Sequence, residues 1–534
     1  MPLFLVRFLK SYGLACLLII GSGLAHDHHH SMYRAPISKH SWRQADAYSM
    51  ALNYYQEGHN LFQPAMHFQD SHQGKSAGEF PLMYYLNAKI WLITGEAYWV
   101  PRLLNYSILL IGLLLLFHLT RELTNNQLFS FGLLCTLLLS PLVGYYSNSF
   151  LVNLNSLSFL FMGWYCYVKS GVHKLPGIFN NKEESNIKLL YFFGGLFFVS
   201  LSGLLRSTML IGFLPILAYH FFGLFTKTGH AKKYSLFLLL LLPIVISGAW
   251  VLYIKHYNEL NNSSYFLTKS MPIWGDFDLA KVWADFVKHT ITEFYPLPIT
   301  ILLLLLLILC IYFAFRIHWK IGMSFLAMVL GGLSYFLLWF RNFDYHDYYL
   351  IEFLLFIPPI FWILYTVYPR NAGTFVRRST IVVMILLLTL YLLPFSLTKT
   401  RMKYRTGDAG LWPIYIPAEE YKLWEFYEWK YKTFHEAYLN LRPKIRQYGF
   451  KRTDLVLSMG DPTPNFTLSL IDCKGYTDLS LENTPIDEKL DRVIEKGVKL
   501  VLTNSDDHRQ AIAHRKDLKL IFEHKNIAGH KVMR

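Results

Sequence analysis

The sequence predicts a polytopic α-helical membrane protein with a small α/β domain at its C-terminal end, and three observations lead to this fold class. Hydrophobic residues make up 53% of the 534 residues and charged residues only 16%, whereas average soluble domains carry about 25% charged residues. The apolar residues occur in runs of about 20, the length that a bilayer requires of a helix. These runs stop after residue 396, and from Phe450 onward strand-like segments flank a helical one, which is typical of a small α/β domain.

About eleven membrane spans are predicted from the apolar runs. They lie at about 4–24, 101–119, 127–146, 149–168, 189–204, 207–225, 234–254, 294–315, 322–340, 349–368 and 379–396. The first run resembles a signal peptide, but we interpret it as a retained anchor, because the loop that follows would then be held at both ends. Arg206, in the middle of residues 189–225, indicates two short spans that meet at an interface.

The distribution of Lys and Arg predicts the orientation of the spans. These residues are concentrated in alternate short loops, which favour the cytoplasmic side. Residues 26–100, 255–293 and 341–348 and the tail from Lys399 onward are then on the outer face of the inner (plasma) membrane. The basic loops also account for the formal net charge of +15, so no nucleic-acid partner is predicted.

Three parts are expected along the chain. Residues 1–398 form the transmembrane domain, with its first outer loop at 26–100. Residues 399–449 form a helical interfacial connector, and residues 450–534 form the α/β domain. Within the last part, strands are expected at TDLVLSMG, FTLSLIDCKGYT, VKLVLTN and the final KLIFEHKNIAGHKVMR, with a helix at IDEKLDRVIEKG. SMGDPTPN follows the first of these strands, where parallel sheets place ligand loops.

The first outer loop begins with SWRQADAYSMALNYYQEG, which is predicted to form a helix with an apolar face. That face consists of Ala47, Met50, Ala51 and Tyr54. Arg43 and Asp46 lie one turn apart near the start of the helix and share another face. A carboxylate there can take a proton from a hydroxyl or an amine, or bind a divalent metal that bridges a phosphate. A structural ion pair between the two residues is the alternative.

The second half of the loop, GEFPLMYYLNAKIWLITG, is predicted to form an amphipathic helix along the interface, with Pro81 near its start. Lys75 and Glu79 flank that start. Lys75 could meet a lipid phosphate, and Glu79 could orient an acceptor molecule. A solvated lysine and a helix-terminus charge are the alternatives.

The third outer loop, RNFDYHDYYL, is dense in polar groups although it joins two strongly apolar spans. The candidate binding residues in it are Arg341, Asp344, His346, Asp347, Tyr348 and Tyr349. An arginine is a natural phosphate ligand by charge and geometry. The histidine and the aspartate after it could orient that phosphate or an acceptor. The two tyrosines could equally form an aromatic belt.

Two further clusters lie at the ends of spans. The HDHHH run at residues 26–30 consists of metal-ligand residue types, although adjacent histidines do not share a helix face. Lys399, Arg401, Lys403 and Arg405 could bind an anionic lipid head group or flank the last span. No cofactor is established by these patterns, and a divalent metal stays an open alternative.

These motifs together resemble the GT-C glycosyltransferases of family 39, which include protein O-mannosyltransferases and lipid A aminoarabinose transferases. The resemblance rests on a single N-terminal span followed by a large outer loop, on WRQADA with ALNYYQEG after it, on GEFPLMYYLNAKIWLITG followed by VPRLLN, and on HDYYL before a span with Pro358 and Pro359. It covers roughly residues 1–400 and not the tail. Many members carry Asp-Glu where this chain has Arg43 and Gln44.

The resemblance implies an enzyme that moves a sugar from a polyprenyl-phosphate carrier to an acceptor on the outer face. A first-loop carboxylate is implied as the catalytic group, and we match it to Asp46. Arg43 and Gln44 near it and Arg341, with Lys75 or the Lys399–Arg405 cluster, are expected to bind substrate. The expected partners are the lipid-linked sugar, membrane lipids and a lipid, glycan or protein acceptor. A non-enzymatic transporter or scaffold for lipid-linked sugars is the alternative, and it would place charged residues inside the spans.

Overall fold

The chain is a mostly helical membrane protein with a five-stranded sheet near its C-terminus. The computed structural model describes residues 3–172, 182–225, 230–266, 270–368, 386–404, 418–481 and 484–533. Within these residues, 7 helices are long and apolar enough to cross a membrane. They are Trp99–Thr124, Asn186–Leu205, Ser207–Leu224, Lys233–Leu260, Leu297–Ile317, Trp319–Leu338 and Asp347–Val367.

The described α-helices follow the predicted order of apolar and polar segments. In chain order they are Leu3–Ala25, His28–Ser31, Ser41–Glu57, Leu82–Thr94, Trp99–Thr124, Gln127–Leu138, Pro141–Tyr146, Asn153–Ser170, Lys182–Leu205, Leu214–Leu224, His230–Leu240, Leu242–Leu260, Leu279–Asp285, Leu297–Ile317, Trp319–Leu338, Ile357–Val367, Leu393–Tyr404, Ala418–Phe434, Leu441–Gln447, Phe466–Ile471, Ile486–Glu495 and Asp506–Ile512. Residues 379–385 of the span predicted at 379–396 lie outside the described residues.

Two predicted spans have interruptions with a local cause. The span predicted at 127–146 is wrong as one continuous helix, since Gln127–Leu138 and Pro141–Tyr146 are separate. Pro141 has no amide hydrogen and its ring clashes with the preceding turn, so it begins a new helix. The predicted break at Arg206 is confirmed, because this residue has an extended backbone between two helical segments.

Small residues let the central helices approach closely. A Cβ atom added to Gly112 would lie 2.8 Å from the Cα atom of Ser158 on the neighbouring helix. This packing is typical of membrane helices, whose association depends on close backbone approach rather than on the hydrophobic effect. The helix Asn153–Ser170 is consequently buried along most of its length.

The C-terminal sheet has the strand order β2-β1-β3-β5-β4. Its strands are β1 Leu455–Ser458, β2 Gly475–Thr477, β3 Val498–Thr503, β4 Leu518–His524 and β5 Ile527–Val532. Strands β1, β2 and β3 are parallel, and β5 is antiparallel to both β3 and β4. The strand predicted at FTLSLIDCKGYT is wrong in its first half, where Phe466–Ile471 is a helix. All six residues of that helix are buried, and a short run that is apolar on every side does not distinguish a helix from a strand.

The loop at residues 26–100 and the sheet are joined by backbone hydrogen bonds at Gly475. Its amide donates to the carbonyl of His67 at 3.0 Å, and its carbonyl accepts from the amide of Gln69 at 2.8 Å. The loop therefore pairs with the edge strand β2 and covers unpaired backbone groups of that edge. This contact brings the loop after β1 to the helix Ser41–Glu57.

Candidate functional site

The helix Ser41–Glu57, here called the first-loop helix, begins after His40 and ends at Gly58. Both flanking residues have left-handed backbones, with φ values of 56° and 67°. The predicted apolar face is confirmed, because Ala47, Met50, Ala51 and Tyr54 pack in one hydrophobic core. Burial extends beyond that face to all of residues 44–54. Polar residues such as Ser49 and Asn53 are buried as well, because the C-terminal part of the chain packs over them. Ser49 Oγ, for example, donates a hydrogen bond to Asn465 at 3.3 Å.

Arg43 lies between two carboxylates. Its Nη1 atom is 3.5 Å from Asp46 Oδ2, which confirms the predicted shared face. Its Nη2 atom donates to both carboxylate oxygens of Glu79 at 2.5 Å, and Glu79 also accepts a hydrogen bond from the hydroxyl of Tyr84. Arg43, Asp46 and Glu79 thus form one group, called here the arginine–carboxylate cluster.

Asp46 is fully buried and its side chain accepts two hydrogen bonds from distant parts of the chain. Asn465 Nδ2 donates to Oδ1 at 2.8 Å, and the hydroxyl of Tyr265 donates to Oδ2 at 2.8 Å. Burial raises the pKa of Asp46 to about 6, against the opposing effects of Arg43 and of these two donors. A carboxylate with such a pKa can both accept and release a proton near neutral pH.

Glu79 behaves differently although it shares the same arginine. Burial opposes its charge, but Arg43 and the hydroxyl of Tyr84 hold the pKa of Glu79 below its ordinary value. Arg206 acts on Glu79 in the same direction, so two arginines lie near one carboxylate. The cluster therefore contains one carboxylate that stays ionised and one that titrates near neutral pH.

Arg206 forms a second charged group beside the cluster. Its Nη2 atom lies 2.7 Å from Glu352 Oε1, and its guanidinium group is 5.0 Å from the ring centroid of Tyr349. Arg43 lies over the ring of Phe266 in a similar way, at 5.1 Å. The side chains of both arginines are partly exposed, by 16% and 19%. Two guanidinium groups of this kind are suited to bind a phosphate.

Asp347 belongs to a separate group of buried charges. It is fully buried and lies 3.3 Å from both Lys39 and Lys403, while His40 and Tyr146 hydrogen-bond to it. Lys403 also pairs with Glu293. Glu293 pairs in turn with Lys399, and Lys399 pairs with Glu420. We call the whole group the buried ion network, and its members are Lys39, Lys399, Lys403, Glu293, Asp347 and Glu420.

This network corrects the prediction that the cations after the last span bind a lipid head group. Lys399 and Lys403 are at most 1% exposed, and both are paired with buried carboxylates. They therefore do not present their charge to a lipid head group at the surface. Arg401 donates to the carbonyl of Ala25 at 2.8 Å. Arg405 lies outside the described residues.

The other predicted residues of the third loop are divided between two places. The ring of His346 stacks on His40 at 5.3 Å, and Tyr348 meets His40 edge-on at 4.9 Å, so both lie beside the start of the first-loop helix. Arg341 is exposed and lies over the ring of Phe277. The carboxylate of Asp344 accepts a hydrogen bond from the amide of the next residue. In the part of the chain that the structure describes, no hydrogen bond or ion pair joins these last two residues to the cluster.

Two predicted residues of the first loop also lie apart from the cluster. Gln44 is buried, and its amide donates to the hydroxyl of Tyr145 at 3.2 Å. Lys75 follows a short 3-10 segment, and its backbone bridges to Ala65. Among the described residues, no side-chain bond connects Lys75 with Asp46.

The HDHHH run is divided between the interior and the surface. His26 hydrogen-bonds to Ser396 at 2.9 Å and His28 to the carbonyl of Gly144 at 2.7 Å. Asp27, His29 and His30 each offer one ligand atom, all within 4.8 Å of one another, and could hold a metal ion. The oxygens of Asp46, in contrast, are already occupied by amide, hydroxyl and guanidinium donors, which favours proton transfer over metal binding there.

The sequence did not single out Tyr84 or Tyr265, and it marked Asn465 only as part of a possible ligand loop. The two donors to Asp46 come from positions 219 and 419 residues away. No local pattern of residues signals a contact over that distance. For Asn465, the sequence offered one indication, because this residue ends SMGDPTPN, the loop predicted to bind a ligand.

No protein-family model matches the chain, and no curated protein matches it. Among solved structures, ArnT from Cupriavidus metallidurans bound to undecaprenyl phosphate is similar, with a TM-score of 0.58 and 10% identity over 97% of this chain and 98% of that chain. The apo state of the same ArnT gives a TM-score of 0.55 and 10% identity over 98% of each chain. This likeness shows that the chain has the ArnT-like GT-C fold and confirms the predicted fold class.

Proposed function

We propose that this protein is a glycosyltransferase that moves a sugar from a polyprenyl-phosphate carrier to a lipid, glycan or protein acceptor on the outer face of the membrane. The GT-C fold supports this class of reaction, as does the undecaprenyl phosphate bound to the similar ArnT structure. The observation that carries the proposal is the buried carboxylate of Asp46. It has a pKa of about 6 and contacts the same arginine as a second carboxylate, Glu79, whose pKa is held below its ordinary value.

Asp46 is proposed as the general base. With a pKa of about 6, roughly 90% of its side chains are ionised at pH 7 and can accept a proton. The acceptor hydroxyl or amine gives its proton to Asp46 as it attacks the anomeric carbon of the donor sugar. The bond between that carbon and the phosphate oxygen breaks, and the polyprenyl phosphate leaves with the electron pair. A single displacement of this kind inverts the configuration at the anomeric carbon.

The hydrogen bond from Tyr265 marks where the acceptor would bind. Its hydroxyl donates to Asp46 Oδ2 at 2.8 Å, which is the geometry that a nucleophilic hydroxyl needs before it loses its proton. We propose that the acceptor displaces this tyrosine when it enters. The amide of Asn465 keeps its hydrogen bond to the other oxygen and holds the carboxylate in place.

Arg43 and Arg206 are proposed to bind the donor phosphate. Both are partly exposed and both act on Glu79. Each guanidinium has five N–H donors, so binding a carboxylate leaves donors for phosphate oxygens. Positive charge there would stabilise the phosphate as it leaves. The transporter alternative is less well supported, since it predicts charged residues within the spans, whereas Arg206 lies at the break between two helical segments.

The test is the transfer of labelled sugar from polyprenyl-phosphate donors by membranes that contain the wild type, Asp46→Asn or the control Asp70→Asn, with and without a chelator. Asp70 is an exposed aspartate of the same loop. We expect Asp46→Asn to abolish transfer at normal protein abundance, and Asp70→Asn to leave it unchanged. Full transfer by Asp46→Asn would exclude this residue as the base, and loss on chelation would assign a metal instead. No transfer by the wild type, over donors of several chain lengths and sugars, would contradict the proposed function.

A further inference from the structure

A cavity lies away from Asp46, where the first outer loop meets the segment after the last span. Its volume is about 600 Å³, within the range of about 300–1,000 Å³ that is usual for small-molecule sites. Six aromatic side chains line its walls, and they are Tyr33, Tyr98, Tyr404, Trp424, Tyr427 and Tyr431. No residue of the arginine–carboxylate cluster is among the described residues that line it.

The first-loop helix separates this cavity from the cluster. The ring of Tyr48 contacts Tyr98, which lines the cavity, with 5.1 Å between centroids. Gln44, one turn earlier on the same face, hydrogen-bonds to the hydroxyl of Tyr145. Asp46 is two residues from each of them, and is therefore rotated by about 200° around the helix axis. The cavity and the proposed base thus lie on opposite sides of one helix.

The helix Ala418–Phe434, here called the connector helix, presents one face to the cavity. Trp424, Tyr427 and Tyr431 lie at helical spacing on that face. Trp424 is only 3% exposed, and its indole Nε1 atom has no hydrogen-bond partner among the described residues. A buried donor of this kind has lost its water and gains from an occupant that carries an acceptor oxygen. On the same helix Phe426 and Trp429 are more than half exposed and do not line the cavity.

Polar groups of both kinds surround the aromatic rings. Arg34 and Asn440 can donate hydrogen bonds, and Glu428 and Glu436 can accept them. An acyl chain would leave these groups without partners. The two lysines of the lining are already paired with carboxylates, Lys403 with Glu293 and Asp347 and Lys432 with Glu428, which disfavours a strongly anionic ligand. A sugar fits, because its ring has an apolar C–H face for stacking and hydroxyl groups that both donate and accept.

The innermost part of the cavity is held rigidly. Tyr404 donates from its hydroxyl to the carbonyl of Tyr145 at 2.6 Å, and Lys403 is fixed by Glu293 and Asp347 of the buried ion network. A preformed wall reduces the ordering cost of binding. We propose that this cavity is a carbohydrate-binding site and that it holds a sugar unit of the acceptor, an assignment that rests on the proposed function.

Binding is tested with the purified full-length protein in nanodiscs on an array of hexose and N-acetylhexosamine oligosaccharides, without sugar-based detergent. The variants are Tyr427→Ala with Tyr431→Ala, the milder Trp424→Phe, and the control Phe426→Ala on the exposed face of the same helix. We expect the double variant to lose about tenfold or more in affinity, since two stacking rings are removed. Trp424→Phe should lose a few-fold through its N–H alone, and Phe426→Ala should bind as the wild type does.

Asp46→Asn separates this inference from the proposed function, because it should lose transfer but keep glycan binding. Thermal unfolding shows whether each variant is folded. If the folded wild type binds no oligosaccharide, or if the three cavity substitutions leave binding unchanged, the cavity is not a carbohydrate site. Release of an acyl lipid from the cavity variants, instead of loss of glycan binding, would also overturn the assignment, whatever the result for transfer.

Discussion

The hydroxyl of Tyr265 is predicted to set the pH dependence of transfer through its hydrogen bond to Asp46. The substitution Tyr265→Phe removes this hydroxyl and keeps the ring. The lost bond stabilised the ionised carboxylate, so the pKa of Asp46 should rise above its present value of about 6. A larger fraction of the base would then be protonated at pH 7, and transfer would slow.

The size of the effect follows from the strength of such a bond. A hydrogen bond to a charged group contributes about 1.5–3 kcal/mol, and one pKa unit corresponds to about 1.4 kcal/mol. The pKa of Asp46 should therefore rise by about one to two units. At pH 7 the ionised fraction falls from roughly 90% to between about 50% and 10%, which is a loss in rate of about two- to ninefold.

The assay is the initial rate of sugar transfer at subsaturating acceptor, between pH 5 and pH 9, for the wild type, Tyr265→Phe and Tyr257→Phe. At low acceptor the profile reports the enzyme before the acceptor displaces Tyr265 from Asp46. Tyr257 supplies a matched control, because its hydroxyl donates to the carbonyl of Pro64 at 3.1 Å rather than to Asp46. The acidic limb of the profile should move to higher pH in Tyr265→Phe only, with the wild-type rate nearly restored at pH 9. An equal loss of rate at every pH would refute the reasoning, because it would show that the hydroxyl does not act through the ionisation of Asp46.

Three further predictions concern the charges around the site. Glu79→Gln should shift the acidic limb to lower pH, opposite to the tyrosine variant, because the negative charge of Glu79 raises the pKa of Asp46; a pH–rate profile checks the direction. Lys403→Met should lower the free energy of unfolding by about 3–5 kcal/mol, since it leaves buried carboxylates unpaired. Lys432→Met, at a side chain that is 63% exposed, should lower it by less than about 1 kcal/mol. Denaturant unfolding of the two variants compares these free energies. Arg341→Ala should leave the KM for the lipid donor unchanged, because that exposed arginine lies apart from the cluster, and a raised KM would return it to the phosphate site.

Features with a local cause were predictable from the sequence. Apolar runs near 20 residues predicted a membrane protein, and the charged side chain of Arg206 within such a run predicted the break between two helices there. The spacing of three residues between Arg43 and Asp46 gave their contact. Each of these depends only on neighbours within a turn or on the composition of one segment, and such signals are present in any window of the chain.

Contacts between distant segments were decided by the tertiary structure. Tyr265 and Asn465 reach Asp46 only because the segment after the helix Leu242–Leu260 and the C-terminal part of the chain both pack on the first-loop helix. Lys399 and Lys403 looked like surface cations, and packing instead places them against buried carboxylates. Sequence patterns report which residues are charged and which face of a helix they share. Whether a charged side chain contacts water, a lipid or an opposite charge depends on which segments pack over it, and only the tertiary structure determines that packing.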